Sequence, residues 1–476
     1  MFFHSPTALF LFLPIVFFLY PLLEFKSYFF SRLFLLIFSL TFYGFDHPWF
    51  LAPLLLSATI DYLISRKLLS KNLNKRNKNL FITISLIINV GLLIFFKYIP
   101  FIEESLSFLS FGSSFTLPAQ FKFIMPAGIS FYTFQTLSFV FDAYKGKVKS
   151  LPDPIDYFLY VCYFPQLVAG PILRPSDFFD SKSIIKLKSS NSLIYSGFRR
   201  ICFGLFLKLC LADELARLND LAFSGEYNFI SMIDAWTIAF GFGIQIYFDF
   251  SAYSHMAIGI SEIIGLPIRE NFNFPYLSRS STEFWRRWHI SLSSWVGDYL
   301  YSFLNLKLPL WLYGALPLLI TWTIMGLWHG ASWRFAFWGL INGLLVLFHR
   351  IYKTYLKEFA FLKIFSNPIF SWLITLFSTM ATWIYFRAES WDQANSIFFK
   401  LWTGDLKLNL RENYYLFVFI FSFFTIFFGL IWQKRNSVKI SKLFRNKFSS
   451  FVLCVFCIFF SSLFIERQVA FVYFQF

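Results

Sequence analysis

The chain has 476 residues, 57% of them hydrophobic and 14% charged, with 72 phenylalanines. That much apolar surface excludes a soluble domain and implies a polytopic membrane protein. The net charge of +16 does not mark a nucleic-acid binder, because the lysines and arginines cluster in loops between apolar spans.

The first apolar run, Ala8 to Leu23, has no basic residue before it and reads as a retained span rather than a cleaved signal. Hydropathy then places spans at roughly 7–23, 29–45, 49–65, 79–98, 122–141, 196–218, 232–262, 309–328, 333–350, 368–387, 413–432 and 448–465. The expected fold is all-α, with about 11–12 transmembrane helices in a single domain over residues 1–476. The loop after the third span carries Arg66, Lys67, Lys71, Lys75, Arg76 and Lys78, which makes it cytoplasmic. Counting outward puts both termini outside, His289 on the cytoplasmic side and His329 towards the outer half of the membrane.

The segment Tyr157 to Phe178 is broken by Pro165, Gly170, Pro171 and Pro175. Irregular backbone at membrane depth must be buried in protein or line a cavity, so this segment reads as re-entrant, with Gln166 as a buried polar group in need of a partner. The seventh span carries Gln245, Asp249 and His255. Asp249 must point into the bundle, in a structural network or at a reaction site. The five cysteines all lie in apolar surroundings. The C-x-x-C of Cys454 and Cys457 has no second ligand pair, so it reads as helix packing.

Two histidines, each preceded by a tryptophan, mark the stretch from Asn271 to Gly343: Trp288–His289 and Trp328–His329. A helix starting near Ser281 would put Trp285, Trp288, His289, Leu292 and Val296 on one stripe, with Ser281 or Thr282 as its cap. Glu283 and Arg287 fall on the opposite face at ion-pair spacing, with Arg286 at the edge. His329 ends an apolar span, and an ionisable group at membrane depth is costly enough to suggest function. Gly326 and Gly330 beside it permit close approach of backbone or ligand. An alternative class is a transporter or flippase using Lys208, Asp249, His255 and His329 as a relay, but no internal inverted repeat supports it. A glycosyltransferase is disfavoured because the chain has no Asp-x-Asp pair.

The motifs EFWRRWHISLSSW and GLWHGASW, with IMPAGISFYTFQTLSFVFDAYKG, YFPQLVAGPILR and FDFSAYSHMAIG, resemble the membrane-bound O-acyltransferase family. The resemblance is to its bacterial branch, which includes alginate O-acetylation and teichoic-acid D-alanylation membrane proteins. The chain departs from that pattern at Ala252, His255, Gly297 and Asn342, and keeps both histidines. The resemblance implies a ring of helices around a central tunnel, in a bacterial cytoplasmic (inner) membrane. It implies transfer of an acyl group, acetyl in the alginate-type branch, from a cytoplasmic thioester to a hydroxyl outside. The donor would be acyl-coenzyme A or an acyl carrier protein, and no cofactor would be tightly bound. The other partners would be membrane lipid and an extracytoplasmic polysaccharide or an acyl-accepting protein, with no nucleic acid. His329 would be the general base and His289 would stand at the donor entrance. Trp285, Arg286, Arg287, Trp288, Trp328, Gln166 and Asp249 complete the expected substrate-binding set, and no metal is expected.

Overall fold

A computed structural model describes residues 1–70, 73–109, 124–180, 185, 190–225, 230–304, 314–356, 359–433, 447–465, 469, 471 and 472. These residues form helices and no strands. The first are α1 (Leu13–Lys26), α2 (Tyr28–Gly44), α3 (Leu51–Leu68), α4 (Lys75–Leu93), α5 (Ile99–Leu109) and α6 (Ile129–Tyr144). Three short helices follow, α7 (Pro154–Cys162), α8 (Phe164–Leu167) and α9 (Pro175–Phe178), then α10 (Asn191–Phe206), α11 (Asp213–Ser224) and α12 (Met232–Ile264). The rest are α13 (Ser281–Arg287), α14 (Ile290–Trp295), α15 (Ala315–His329), α16 (Trp333–Ile351), α17 (Pro368–Arg387), α18 (Trp391–Lys400), α19 (Glu412–Gln433) and α20 (Lys447–Phe464).

Six of the described helical segments are long and apolar enough to cross a membrane: Ala8–Lys26, Pro48–Leu68, Lys75–Ser107, Trp333–Leu356, Pro368–Arg387 and Glu412–Ile431. Tyr28–Gly44, Ala315–His329 and Phe451–Phe464 are apolar but shorter. The chain is thus an all-α, multi-pass membrane protein, as composition required. Lys71 and the starts of the expected spans 122–141 and 309–328 lie outside the described residues.

The chain folds into two compact units, one of Met1–Ile201 with Tyr253–Arg269 and the other of Cys202–Ala252 with Glu270–Phe476. In the first unit, polar side chains hold apolar helices together. Ser85 Oγ donates to Asp61 Oδ1 (2.6 Å), Asn89 Nδ2 to Asp61 Oδ2 (2.9 Å) and Ser57 Oγ to Asn89 Oδ1 (2.6 Å), which ties α3 to α4. In lipid, where apolar faces have no preference for one another, such bonds select the partner helix. The segment expected to be re-entrant is irregular, as its prolines require, and its residues are mostly buried. Gln166 finds its partner here: its Nε2 donates to Gln135 Oε1 at 2.6 Å.

The second unit is organised on the α15–α16 hairpin. A Cβ on Gly326 would overlap the Phe335 carbonyl oxygen, and one on Gly339 the Trp322 carbonyl oxygen. The glycines therefore serve close packing of two helix backbones. Of the two readings of Gly326 open from sequence, helix approach is the one observed. Cys202 on α10 packs with Cys454 and Cys457 of α20 and with Phe206, in an apolar cluster.

Candidate active site

The expected continuous helix through residues 281–296 is broken. α13 starts after Ser280, whose Oγ accepts the Glu283 N–H, so the cap is one residue before the expected pair. It stops at Arg287, where Trp288 is extended and His289 adopts φ 43°, ψ 58°. The break has a local cause. The strip at Asn271–Asn273 runs alongside: Asn273 N–H donates to the Arg287 carbonyl (2.9 Å) and Ile290 N–H to the Asn271 carbonyl (2.8 Å). These bonds take up backbone groups that a continuing helix would have used. A non-glycine residue at positive φ is uncommon and costs free energy, which makes His289 a marked position.

The same strip fixes the His289 ring. Asn271 Oδ1 lies 3.0 Å from His289 Nδ1 and 2.9 Å from Ser291 Oγ, and also accepts the Ser291 backbone N–H at 3.4 Å. A backbone N–H can only donate, so the atom facing it is the amide oxygen, and Nδ1 must carry the proton. Nε2 is then the basic nitrogen. Burial holds the imidazole well below the ordinary histidine value, which keeps it neutral.

His289 and His329 line one cavity of about 190 Å³. α15 contributes the stripe Leu318, Thr321, Trp322, Met325 and His329, which is one helical face. α13 and the break contribute Thr282, Trp285, Arg286, Trp288 and His289, and α16 contributes Trp338, Val346 and Arg350. Trp338 stands 5.2 Å from His329, ring to ring. Twelve residues along α16, about 18 Å at helical rise, Arg350 stacks over Tyr301. Arg350 and Arg286 are both exposed, whereas the histidines are buried. The cavity is a slot with an exposed, cationic mouth and a buried, aromatic interior. Trp383 of α17 joins the surroundings of the two histidines: its ring is 5.1 Å from Trp288 and 5.5 Å from Trp338.

A buried neutral base inside a slot with a cationic mouth is suited to acyl transfer, and the likeness to known proteins agrees. The sequence model of the membrane-bound O-acyltransferase family matches residues 69–387, a range that contains the whole cavity. This chain belongs to the membrane-bound O-acyltransferase family. The acyltransferase is 33% identical over 425 residues to a peptidoglycan O-acetyltransferase of Helicobacter pylori, covering 82% of this chain and 78% of the relative. It is 35% identical over 393 residues to a probable alginate O-acetylase of Pseudomonas aeruginosa, covering 82% and 72%. A teichoic acid D-alanyltransferase of Bacillus subtilis is 26% identical over 257 residues, covering 49% and 61%.

Within the acyltransferase, the residues expected at the site divide. His289, His329, Trp285, Arg286 and Trp288 come together around the cavity. Arg287 is not among its lining residues; it pairs with Glu283 at 2.6 Å on the opposite face. Trp328 is buried behind His329, at 4.9 Å between rings, and is also not among the lining residues. Gln166 serves the first unit's internal bonding, as above. Asp249 is engaged by Lys208 (2.9 Å) and by the Val472 N–H (2.7 Å). Sequence reasoning missed Asn271, Arg350 and Trp383. Asn271 begins the histidine-bearing stretch, but its pairing lies 18 residues from His289, and Arg350 and Trp383 are farther still; a single sequence carries no signal of such pairings.

Proposed function

We propose that the enzyme takes an acyl group, acetyl by its likeness to O-acetyltransferases, from a cytoplasmic thioester. It delivers the group to a hydroxyl of an extracytoplasmic polysaccharide, or to a partner protein that passes it on. In this reading its place is the cytoplasmic membrane of a bacterium. The observation that supports it best is the slot itself, with two exposed arginines at its mouth and two buried histidines within. Guanidinium groups suit the phosphates of coenzyme A or of a carrier protein's pantetheine. Trp338 beside His329 and Arg350 at the mouth are about 18 Å apart along α16, a span that lets a flexible arm bring its thioester to the histidines while the charged part stays in water.

His329 acts as general base on the acceptor hydroxyl. As the proton moves to the imidazole, the oxygen forms a bond to the thioester carbonyl carbon. The tetrahedral intermediate collapses, the carbon–sulfur bond breaks, and the leaving thiolate takes the proton back from the imidazolium. General-base help of this kind is worth about 10²–10⁴ in rate. One observation favours a second assignment of roles: the Asn271 bond leaves Nε2 of His289 basic, which suits a proton acceptor better than an entrance residue.

The test is deletion of the gene, followed by measurement of ester-linked acyl groups on each surface polymer of the host. One polymer should lose its esters, with restoration by the wild-type gene and not by His329→Gln, which keeps size but loses basicity. Unchanged ester content on every surface polymer would overturn the reading.

A further inference from the structure

Lys208 lies between α10 and α11, 2% exposed, with Asp213 at 2.8 Å and Asp249 at 2.9 Å. One buried cation thus faces two buried carboxylates, an arrangement that holds only if further hydrogen bonds complete it. Part of that completion comes from the far end of the chain. Lys208 Nζ donates to the Val469 carbonyl at 3.0 Å, and the Val472 N–H donates to Asp249 Oδ2 at 2.7 Å. Between these anchors, Phe471 is 1% exposed and its ring meets that of Phe250 at 5.7 Å. Phe250 follows Asp249 on α12, and its ring stands edge-on to His289 at 4.6 Å and 86°. Asn271 holds one edge of that imidazole, and Phe250 abuts its ring.

We propose that the Lys208–Asp213–Asp249 triad is a lock that docks the C-terminal residues Val469, Phe471 and Val472, and that Phe471, acting through Phe250, is a positioning residue for His289. The lock explains why three charges are retained in a dry interior. The backbone of the docked tail satisfies groups that would otherwise be buried without enough partners. It also makes the reaction site dependent on a segment 180 to 183 residues away in sequence from His289. The proposal rests on the reading that His289 takes part in acyl transfer.

The experiment uses the full-length protein in lipid nanodiscs with radiolabelled acetyl-coenzyme A as the thioester probe. Phe471→Ala should lower kcat about tenfold per folded molecule and leave donor KM within about twofold, because positioning and not donor binding is lost. Phe471→Leu should recover most of that rate. In a His289→Ala background, Phe471→Ala should cost nothing further, since a residue that acts through His289 has nothing left to position. A wild-type kcat in Phe471→Ala, or a loss that adds in full to that of His289→Ala, overturns the proposal. Docking is read without catalysis: Asp249→Asn should make the C-terminus about tenfold more sensitive to carboxypeptidase, and unchanged sensitivity refutes the lock. If the wild-type protein consumes no thioester while Asp249→Asn still releases the tail, the enzymatic reading fails and the docking half of the proposal stands.

Discussion

Asn271→Ala is the sharpest perturbation of the site, because the residue is fully buried and its side-chain oxygen meets both His289 and Ser291. The substitution removes one acceptor from three donors: the His289 ring N–H, the Ser291 hydroxyl and the Ser291 backbone N–H. Leaving buried donors unmet costs about 1–3 kcal/mol each, but the hydroxyl can turn elsewhere and the 3.4 Å contact is weak. A total loss of stability of about 3 kcal/mol follows. The kinetic effect is separate. Without the fixed acceptor, the imidazole divides between tautomers and orientations, so kcat should fall about 10–10²-fold at unchanged donor KM. Asn271→Asp keeps the acceptors and adds a negative charge. It should retain most of the stability while raising the His289 pKa, so activity is lost at a higher pH on the acid side. The assay is initial-rate acetyl transfer from acetyl-coenzyme A in nanodiscs, normalised to the monodisperse fraction on size-exclusion chromatography. Wild-type turnover per folded Asn271→Ala molecule would refute the claim that this amide sets the His289 ring.

Arg286→Ala and Arg350→Ala should each raise donor KM several-fold with a small change in kcat. Arg287→Ala should leave KM unchanged, because that side chain is spent on a surface pair with Glu283; equal effects at all three positions would remove the mouth from donor binding. A cysteine at Asn74 should resist a membrane-impermeant thiol reagent in intact cells while one at Gly404 is labelled, and the reverse pattern would invert the topology. His289 is buried neutral, with its folded pKa below the unfolded value. Its contribution to stability is therefore complete above about pH 6.5 and declines as pH falls below it, by up to about 1.4 kcal/mol per unit. Thermal unfolding between pH 7 and pH 5 should show a slope that His289→Gln reduces, and an identical slope in the variant would show that the imidazole is not held neutral.

Hydropathy by itself determined that this chain is an all-α membrane protein, because transfer of each span into lipid depends on composition and not on neighbours. The two histidine motifs by themselves pointed to the residues that now face one cavity. The stripe expected at Trp285, Trp288, His289, Leu292 and Val296 does line it, although the helix meant to align those residues is broken. The break could not be read from the local pattern. It depends on backbone hydrogen bonds to Asn271 and Asn273, and helical periodicity assumes those groups are spent within the helix. Helical periodicity already turns Arg287 away and pairs it with Glu283, and tertiary structure supplied the second arginine of the mouth. Arg287 satisfies its charge at Glu283 one turn away, whereas Arg286 lines the mouth with Arg350, whose position depends on how α16 packs on α15. The roles of Asp249 and the C-terminal residues belong to the same class: a charge at membrane depth announces that it has partners, but only the folded chain supplies them.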